Sequence, residues 1–275
     1  MPSILSVNDI VAGMTQRSQL LQVSKSSLGN SVAGQLHSMW RSIGQPAQAA
    51  IPTTVAVCAN GLTGSSRYDE VGATQEMHVV RAFLVSSNSG TDVQLFDRLS
   101  HRGGLVGNVT TGQTAGVTAD STANNFAARK GDADFSSVMW FLEWYTDTGA
   151  TAANATCAVT YDDNSTGNIV VAVPATTRAS RILPILSAVA GRWIKSVDTV
   201  TLSVSTGTAG NFGVTAGRRL AAVALGLANS GETVDWAMLG LPRIHAEACL
   251  WWVTIPSTTS TGTLTGGAQL ISSPP

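Results

Sequence analysis

The side chains best suited to chemistry in this sequence sit in its polar connections. Asp162-Asp163-Asn164-Ser165-Thr166-Gly167 places oxygen-bearing side chains at alternate positions with a glycine sixth, as the start of a calcium loop does. The bidentate acid that closes such a loop is missing, because Val173 stands in its place. A hairpin turn accounts for the same residues, since Asp, Asn and Gly supply turn geometry. Asp132 and Asp134 have the spacing of a carboxylate pair, but Gly131-Asp132-Ala133-Asp134 is a polar connection in which carboxylates stay solvated and their pKa values are not raised.

His37, His78, His101 and His245 are never paired at metal-ligand spacing, and no GxSxG, HExxH or phosphate-cradling glycine loop occurs. The catalytic option left is a hydrolase whose His101 or His245 meets Asp and Ser residues brought from elsewhere. Cys58, Cys157 and Cys249 are widely spaced, odd in number and without CxxC spacing, which excludes a disulfide framework and a zinc site and leaves three buried small hydrophobes. Asn108, Asn154 and Asn164 begin glycosylation triplets of the kind an Asn-, Ser- and Thr-rich chain produces by chance. The expectation is a protein that is not an enzyme, with no catalytic, cofactor-binding or metal residues.

Aromatic residues offer a different chemistry. In strands, alternate residues share a face, so Trp140, Leu142 and Trp144 point one way while Phe141, Glu143 and Tyr145 point the other. One set must be core. The second set, with Trp252, serves as core edge, subunit contact or a platform on which sugars stack.

Composition narrows the function classes. With 16 basic and 17 acidic residues and no basic block, the chain has no electrostatic footprint for nucleic acid. Asp9 interrupts the first apolar stretch, which therefore does not read as a secretion signal, and no later run approaches membrane-spanning length. Only 12% of residues are charged while 44% are hydrophobic, against about a quarter charged in ordinary soluble domains. Such a weakly charged surface tends to associate.

The elements that must position these residues change character along the chain. Val7, Ile10, Val11 and Met14, and again Leu28, Val32, Leu36 and Trp40, recur at helical spacing, which predicts two short amphipathic helices. Residues 44–52, with Pro46 and Pro52, form an extended connector. The expected division is a helical and extended arm over 1–52 and a body over 53–275.

Beyond residue 52 the pattern is that of strands. Residues 78–85 and 92–97 read as a hairpin across Ser86-Ser87-Asn88-Ser89-Gly90. Residues 138–145, 156–161 and 169–173 read as three neighbouring strands, and further strands are expected over 196–205, 219–227, 249–255 and 263–271. Many short strands with such turns require an all-β fold, here a jelly-roll-like two-sheet β-sandwich.

Three stretches resemble virion structural proteins of tailed bacteriophages. They are Leu95-Phe96-Asp97-Arg98-Leu99-Ser100-His101 followed by Gly107-Asn108-Val109-Thr110-Thr111, then Thr206-Gly207-Thr208-Ala209-Gly210-Asn211-Phe212-Gly213-Val214, and Leu239-Gly240-Leu241-Pro242-Arg243-Ile244. The resemblance spans most of the region after residue 75. It implies a β-rich component present in many copies, of the head decoration or cement type, located in a virion assembled in the host cytoplasm. The low charge, the arm-and-body layout and the absence of catalytic spacing lead to the expectation of a structural subunit that partners itself, as a homo-oligomer and most simply a trimer, and the major capsid protein or other virion subunits. A receptor- or glycan-binding module of a phage tail is the alternative.

Overall fold

The structure, a computed structural model, describes residues 4–275. It is mostly β, with 44% of residues in strands and 8% in helices, and its antiparallel sheets form a sandwich-like arrangement. The first sheet runs β14 (Gly231–Asp235), β5 (Met77–Ser86), β17 (Leu264–Ser272), β1 (Ser18–Lys25), β3 (Gly44–Gln45), with β15 (Arg243–Ile244) also on β5. A four-stranded sheet runs β10 (Thr166–Val173), β9 (Ala153–Tyr161), β12 (Ile194–Leu202), β7 (Gln113–Thr118). The largest runs β11 (Ile182–Ile185), β8 (Met139–Trp144), β13 (Phe212–Leu225), β6 (Thr91–Leu105), β16 (Leu250–Ile255), β2 (His37–Ser38), with β4 (Ala56–Val57) on β6.

The largest sheet is one layer of the sandwich and the other two sheets share the opposite layer. Leu99, Trp140, Leu142, Trp144 and Val214 of the large sheet pack with Val159, Val171 and Val197 of the four-stranded sheet. Val93, Leu95, Val223 and Trp252 pack with Leu21, Val79, Leu84 and Leu270 of the first sheet. Val93 and Leu95 share one face of β6 by alternation, and the register shift between Arg98 and Ser100 keeps Leu99 on that face while His101 turns to the other. The even-numbered Phe96 points to the other face, where Trp40, Phe141, Cys249 and Trp251 form a separate cluster. Residues of the 36–66 segment, Trp40, Ala49 and Cys58 among them, contribute to that cluster from outside the sheet.

Several strands were placed correctly by pattern and their partners were not. Residues 78–85 and 92–97 lie in β5 and β6, but these do not pair with each other: the turn after Ser86 carries the chain from the first sheet to the large one. Similarly, β8 belongs to the large sheet, and of the three expected neighbours only β9 and β10 form a hairpin. Alternation of buried and exposed residues fixes which face a strand presents, and says nothing of which edge it joins.

The N-terminal region departs further from expectation. Helix α1 (Val7–Gln16) forms, with Ser6 as its cap and Asp9 completing a capping box, an arrangement that satisfies orphan amides at the first turn. Its buried face carries Ile10 against Val80 and Ile271. The second helix does not form: residues 37–41 are β2 and a short 3-10 turn. Nor does the expected arm over 1–52 stand apart from the body, because β1 pairs with β17 over eight residues and buries Leu21 and Val23 in the core. Ser18-Gln19-Leu20-Leu21-Gln22-Val23 has a period of two as well as helical spacing, and the partner strand decides between them.

The integration of β1 yields a direct expectation. A chain lacking residues 1–16 should unfold in one cooperative transition, whereas a chain lacking residues 1–26 loses the strand between β17 and β3 and should fail to fold, as read by circular dichroism and thermal melting. Leu21→Ala should cost about 2–5 kcal/mol, the range for truncating a buried leucine.

Candidate functional site

The densest groups of functional side chains lie on the large sheet around β6, with Arg98 on the face covered by the Trp40 segment and Asp97 on the opposite, core-facing side. Strand β6 supplies Asp97, Arg98 and His101, β8 supplies Glu143, β13 supplies Thr215, and Tyr145 follows β8 directly. Arg129 enters from α2 (Phe126–Arg129). Asp97, Arg98, Arg129 and Thr215 are each 0% exposed, and Glu143 is 1% exposed.

Two ion pairs organise the cluster. Arg98 Nη2 donates to Glu143 Oε2 at 2.6 Å, to Thr215 Oγ1 at 3.1 Å and to the Tyr145 hydroxyl at 3.2 Å, while Nε donates to His101 Nδ1 at 2.8 Å. Glu143 Oε2 also accepts from Thr215 Oγ1 at 2.6 Å and from the Tyr145 hydroxyl at 3.1 Å. The Arg98 guanidinium carbon lies 4.5 Å from the ring centroid of Trp40 and 4.8 Å from that of Trp251, so two indole faces replace water around the cation.

Arg129 grips Asp97 bidentately, Nε to Oδ2 at 3.0 Å and Nη2 to Oδ1 at 2.6 Å. It also donates to the carbonyls of Cys58, Asn124 and Arg98, so all five of its N–H groups are used. Asp97 Oδ1 accepts in addition from the Cys249 backbone amide at 2.9 Å. The pair thereby fastens α2, the segment after β4 and the start of β16 to one point on β6.

Charge states follow from this geometry. Burial alone would push the Glu143 carboxyl up, but the Arg98 charge and the hydrogen bonds it receives hold it below the ordinary glutamate range. Burial together with the neighbouring Glu143 charge raises the Tyr145 hydroxyl, which stays protonated as a donor. Buried, paired and walled by tryptophans, the cluster has no opening for a substrate. Its chemistry is that of a cross-link.

The other sequence-level candidates are dispersed. In the β9–β10 turn, Asp163 accepts from Arg192 and from Ser165, Asp162 Oδ1 accepts from the Trp193 amide at 3.1 Å, and Asn164 Oδ1 accepts from Lys195 Nζ at 3.1 Å. Its oxygens thus bind the 192–195 segment, and Asn164 adopts φ 65 as a turn residue. Asp132 accepts from the hydroxyls of Ser136 and Ser137. Asp134 is held below the usual carboxylate range by Ser136, the reverse of what an acid catalyst needs.

His37 Nε2 accepts from the Val32 amide, His78 Nδ1 meets the Leu241 carbonyl, and His101 Nδ1 accepts from Arg98. Among the described residues no histidine ring hydrogen-bonds to a serine hydroxyl or to an aspartate, so the hydrolase arrangement is not assembled. The sugar platform is not assembled either: Phe141, Tyr145 and Trp252 are all buried. Cys58, Cys157 and Cys249 are buried free thiols.

No family model matches the chain, and no curated protein matches it in sequence. Two solved structures align with it, both of infectious bursal disease virus VP2. A VP2 subviral particle is 12% identical with a TM-score of 0.19, covering 97% of this chain and 86% of that one. A point mutant of VP2 in derived T=1 particles is 10% identical with a TM-score of 0.16, covering 98% and 84%. Alignments of this kind do not establish a shared fold.

Two expectations follow from the buried groups. Glu143→Gln leaves the Arg98 cation without its counter-charge and should cost about 3–5 kcal/mol, whereas Arg98→Met combined with Glu143→Leu should recover most of that loss, read as urea midpoints in a double-mutant cycle. The second concerns acid. Burial, then the Arg181 charge, pushes His37 down to about 4. Its folded pKa lies below its unfolded value near 6.5, so the unfolded chain binds the proton first. The stability this affords is whole above about pH 6.5 and is lost as pH falls towards 4, by up to about 3 kcal/mol. His245, similarly depressed by burial and then by Arg218 and Arg243, adds loss in the same window. The melting temperature should fall between pH 6.5 and 4, and His37→Gln should flatten part of that slope.

Proposed function

We propose that this chain is a non-enzymatic structural subunit of a virus particle, a decoration or cement protein of a tailed-phage head that works through contact with copies of itself and with the major capsid protein. The observation that carries the reading is the distribution of charge. With only 12% of residues charged, the chain still spends Lys25, Asp97, Arg98, Arg129, Glu143 and Arg181 in its interior. What remains outside includes exposed Leu186, Leu227 and Met238. A surface built this way is poorly suited to a solitary, fully hydrated existence.

The interior fits the same role. A cement subunit must resist deformation while its surfaces are loaded, and the two ion pairs tie β6, β8, β13 and α2 together without depending on solvent. Helix α1, with Val7 and Val11 exposed on its outer side, gives the body a short element able to contact a neighbour. Association through apolar and backbone contacts also makes a distinct prediction about salt, because few charges are available to be screened.

Sedimentation of the purified chain in low and in 1 M salt checks this. The expected result is a species of several copies whose mass is unchanged by salt, and which decorates phage heads lacking it. A monomer at the highest soluble concentration that also fails to bind heads contradicts the proposal.

A further inference from the structure

Six strands end the three sheets or flank their open sides, and five of them are blunted. β14 carries Glu232 and Asp235, β11 contains Pro184, and β3 and β2 are two residues long. β7 is bulged against β12 and has Gly116 at φ 61. Where β1 extends past β3, the Gln19 side-chain amide takes up both the N–H and the carbonyl of Asp69, at 2.7 Å each, bridging its outer side. Charge, proline, shortness, bulges and cover are the devices that keep sheet edges from pairing with other chains.

β10 has no charge, proline, shortness or bulge, and only its first residues, Thr166 to Asn168, lie beside the 188–192 segment. Its sequence, Thr166-Gly167-Asn168-Ile169-Val170-Val171-Ala172-Val173, contains no charge and no proline. It pairs with β9 in unbroken register over eight residues, a straight edge about 27 Å long at strand spacing. Its other side ends the four-stranded sheet, so alternate N–H and carbonyl groups along it face outward without strand partners. Val170, on the outer face, is 61% exposed.

We propose that β10 is a self-association edge: it pairs antiparallel with β10 of a second copy across a two-fold axis, joining two four-stranded sheets into one of eight. The neutrality of the strand favours its own copy as occupant, because an antiparallel self-pair places like residues near like and any charge would be repeated opposite itself. Register follows from parity. Ile169, Val171 and Val173 face the core, and Thr166, Asn168, Val170 and Ala172 face out. Only registers that pair even positions with even positions keep the inner faces of the two sheets continuous. The register centred on Val170 sets that valine against its counterpart, Asn168 against Ala172 and Ile169 against Val171, covering the exposed side chain from both copies.

The inference deepens the self-assembly reading above and names the surface it uses. Val170→Cys tests it in the full chain, since the three native thiols are buried. Under diamide two Sγ–H bonds break and one Sγ–Sγ bond forms, with two protons and two electrons passing to the azo group. Opposite positions in such a pair bring their Cβ atoms to about 4.5–5.5 Å, within reach of a disulfide after small shifts. Cross-linked dimer should form at least about tenfold faster than for Val204→Cys, an exposed position outside the edge, because the edge supplies a high effective concentration. Val170→Lys, which retains the fold because the side chain points outward, should lower the assembled mass. Equal cross-linking rates at the two positions, with wild-type assembly intact, overturn the edge pairing and leave the assembly reading standing. A wild-type monomer overturns both.

Discussion

The Arg98 guanidinium sits where no water reaches it, and the packing around it is what that situation demands. A cation in such a place is tolerable only with an opposite charge, acceptors for its protons and polarisable surface for the remainder. Glu143, His101, Thr215 and Tyr145 provide the first two, and the Trp40 and Trp251 rings the third. Each must hold its place for the others to be satisfied. That mutual requirement fixes the relative positions of β6, β8 and β13, and it requires the Trp40 segment to close over the sheet. The adjacent Arg129–Asp97 pair extends the same logic to α2 and to the chain on either side of β6.

This arrangement has a consequence for the outside of the molecule. Ionic side chains used to lock the interior are not available to solvate the surface, and threonine, serine, alanine and scattered aliphatic residues take their place there. A rigid body with a neutral skin is suited to contact with other protein over large areas. Its sheet edges reinforce the point, since all but one carry a feature that discourages further pairing. The exception, β10, is also the longest straight edge.

The fold class was legible because period-two burial is written into single strands. β9 alternates from Ala153 to Tyr161 and β10 from Thr166 to Val173 as the pattern requires. The opposite orientation of Trp144 and Tyr145 was likewise readable, and both faces proved to be interior. What escaped detection is what depends on distant partners. Residues 18–25 carry both periods, and only β17 makes them a strand. Residues 86–91 look like a hairpin turn and act as a corner between layers. The buried cluster left one trace, a glutamate flanked by tryptophans and aromatics in Trp140-Phe141-Leu142-Glu143-Trp144-Tyr145, matched by Asp97-Arg98 inside an apolar strand. Charges in such settings imply buried partners, but Arg129, in a polar stretch of sequence, gave no sign that it was one.

Electron microscopy of the native assembly tests the central idea most directly, namely that this neutral surface is covered by other protein. The account predicts many copies in symmetric contact on a particle, with Leu186, Leu227 and Met238 largely within interfaces. Copies standing singly, with those residues in solvent and no neighbour against their sheet edges, would contradict it.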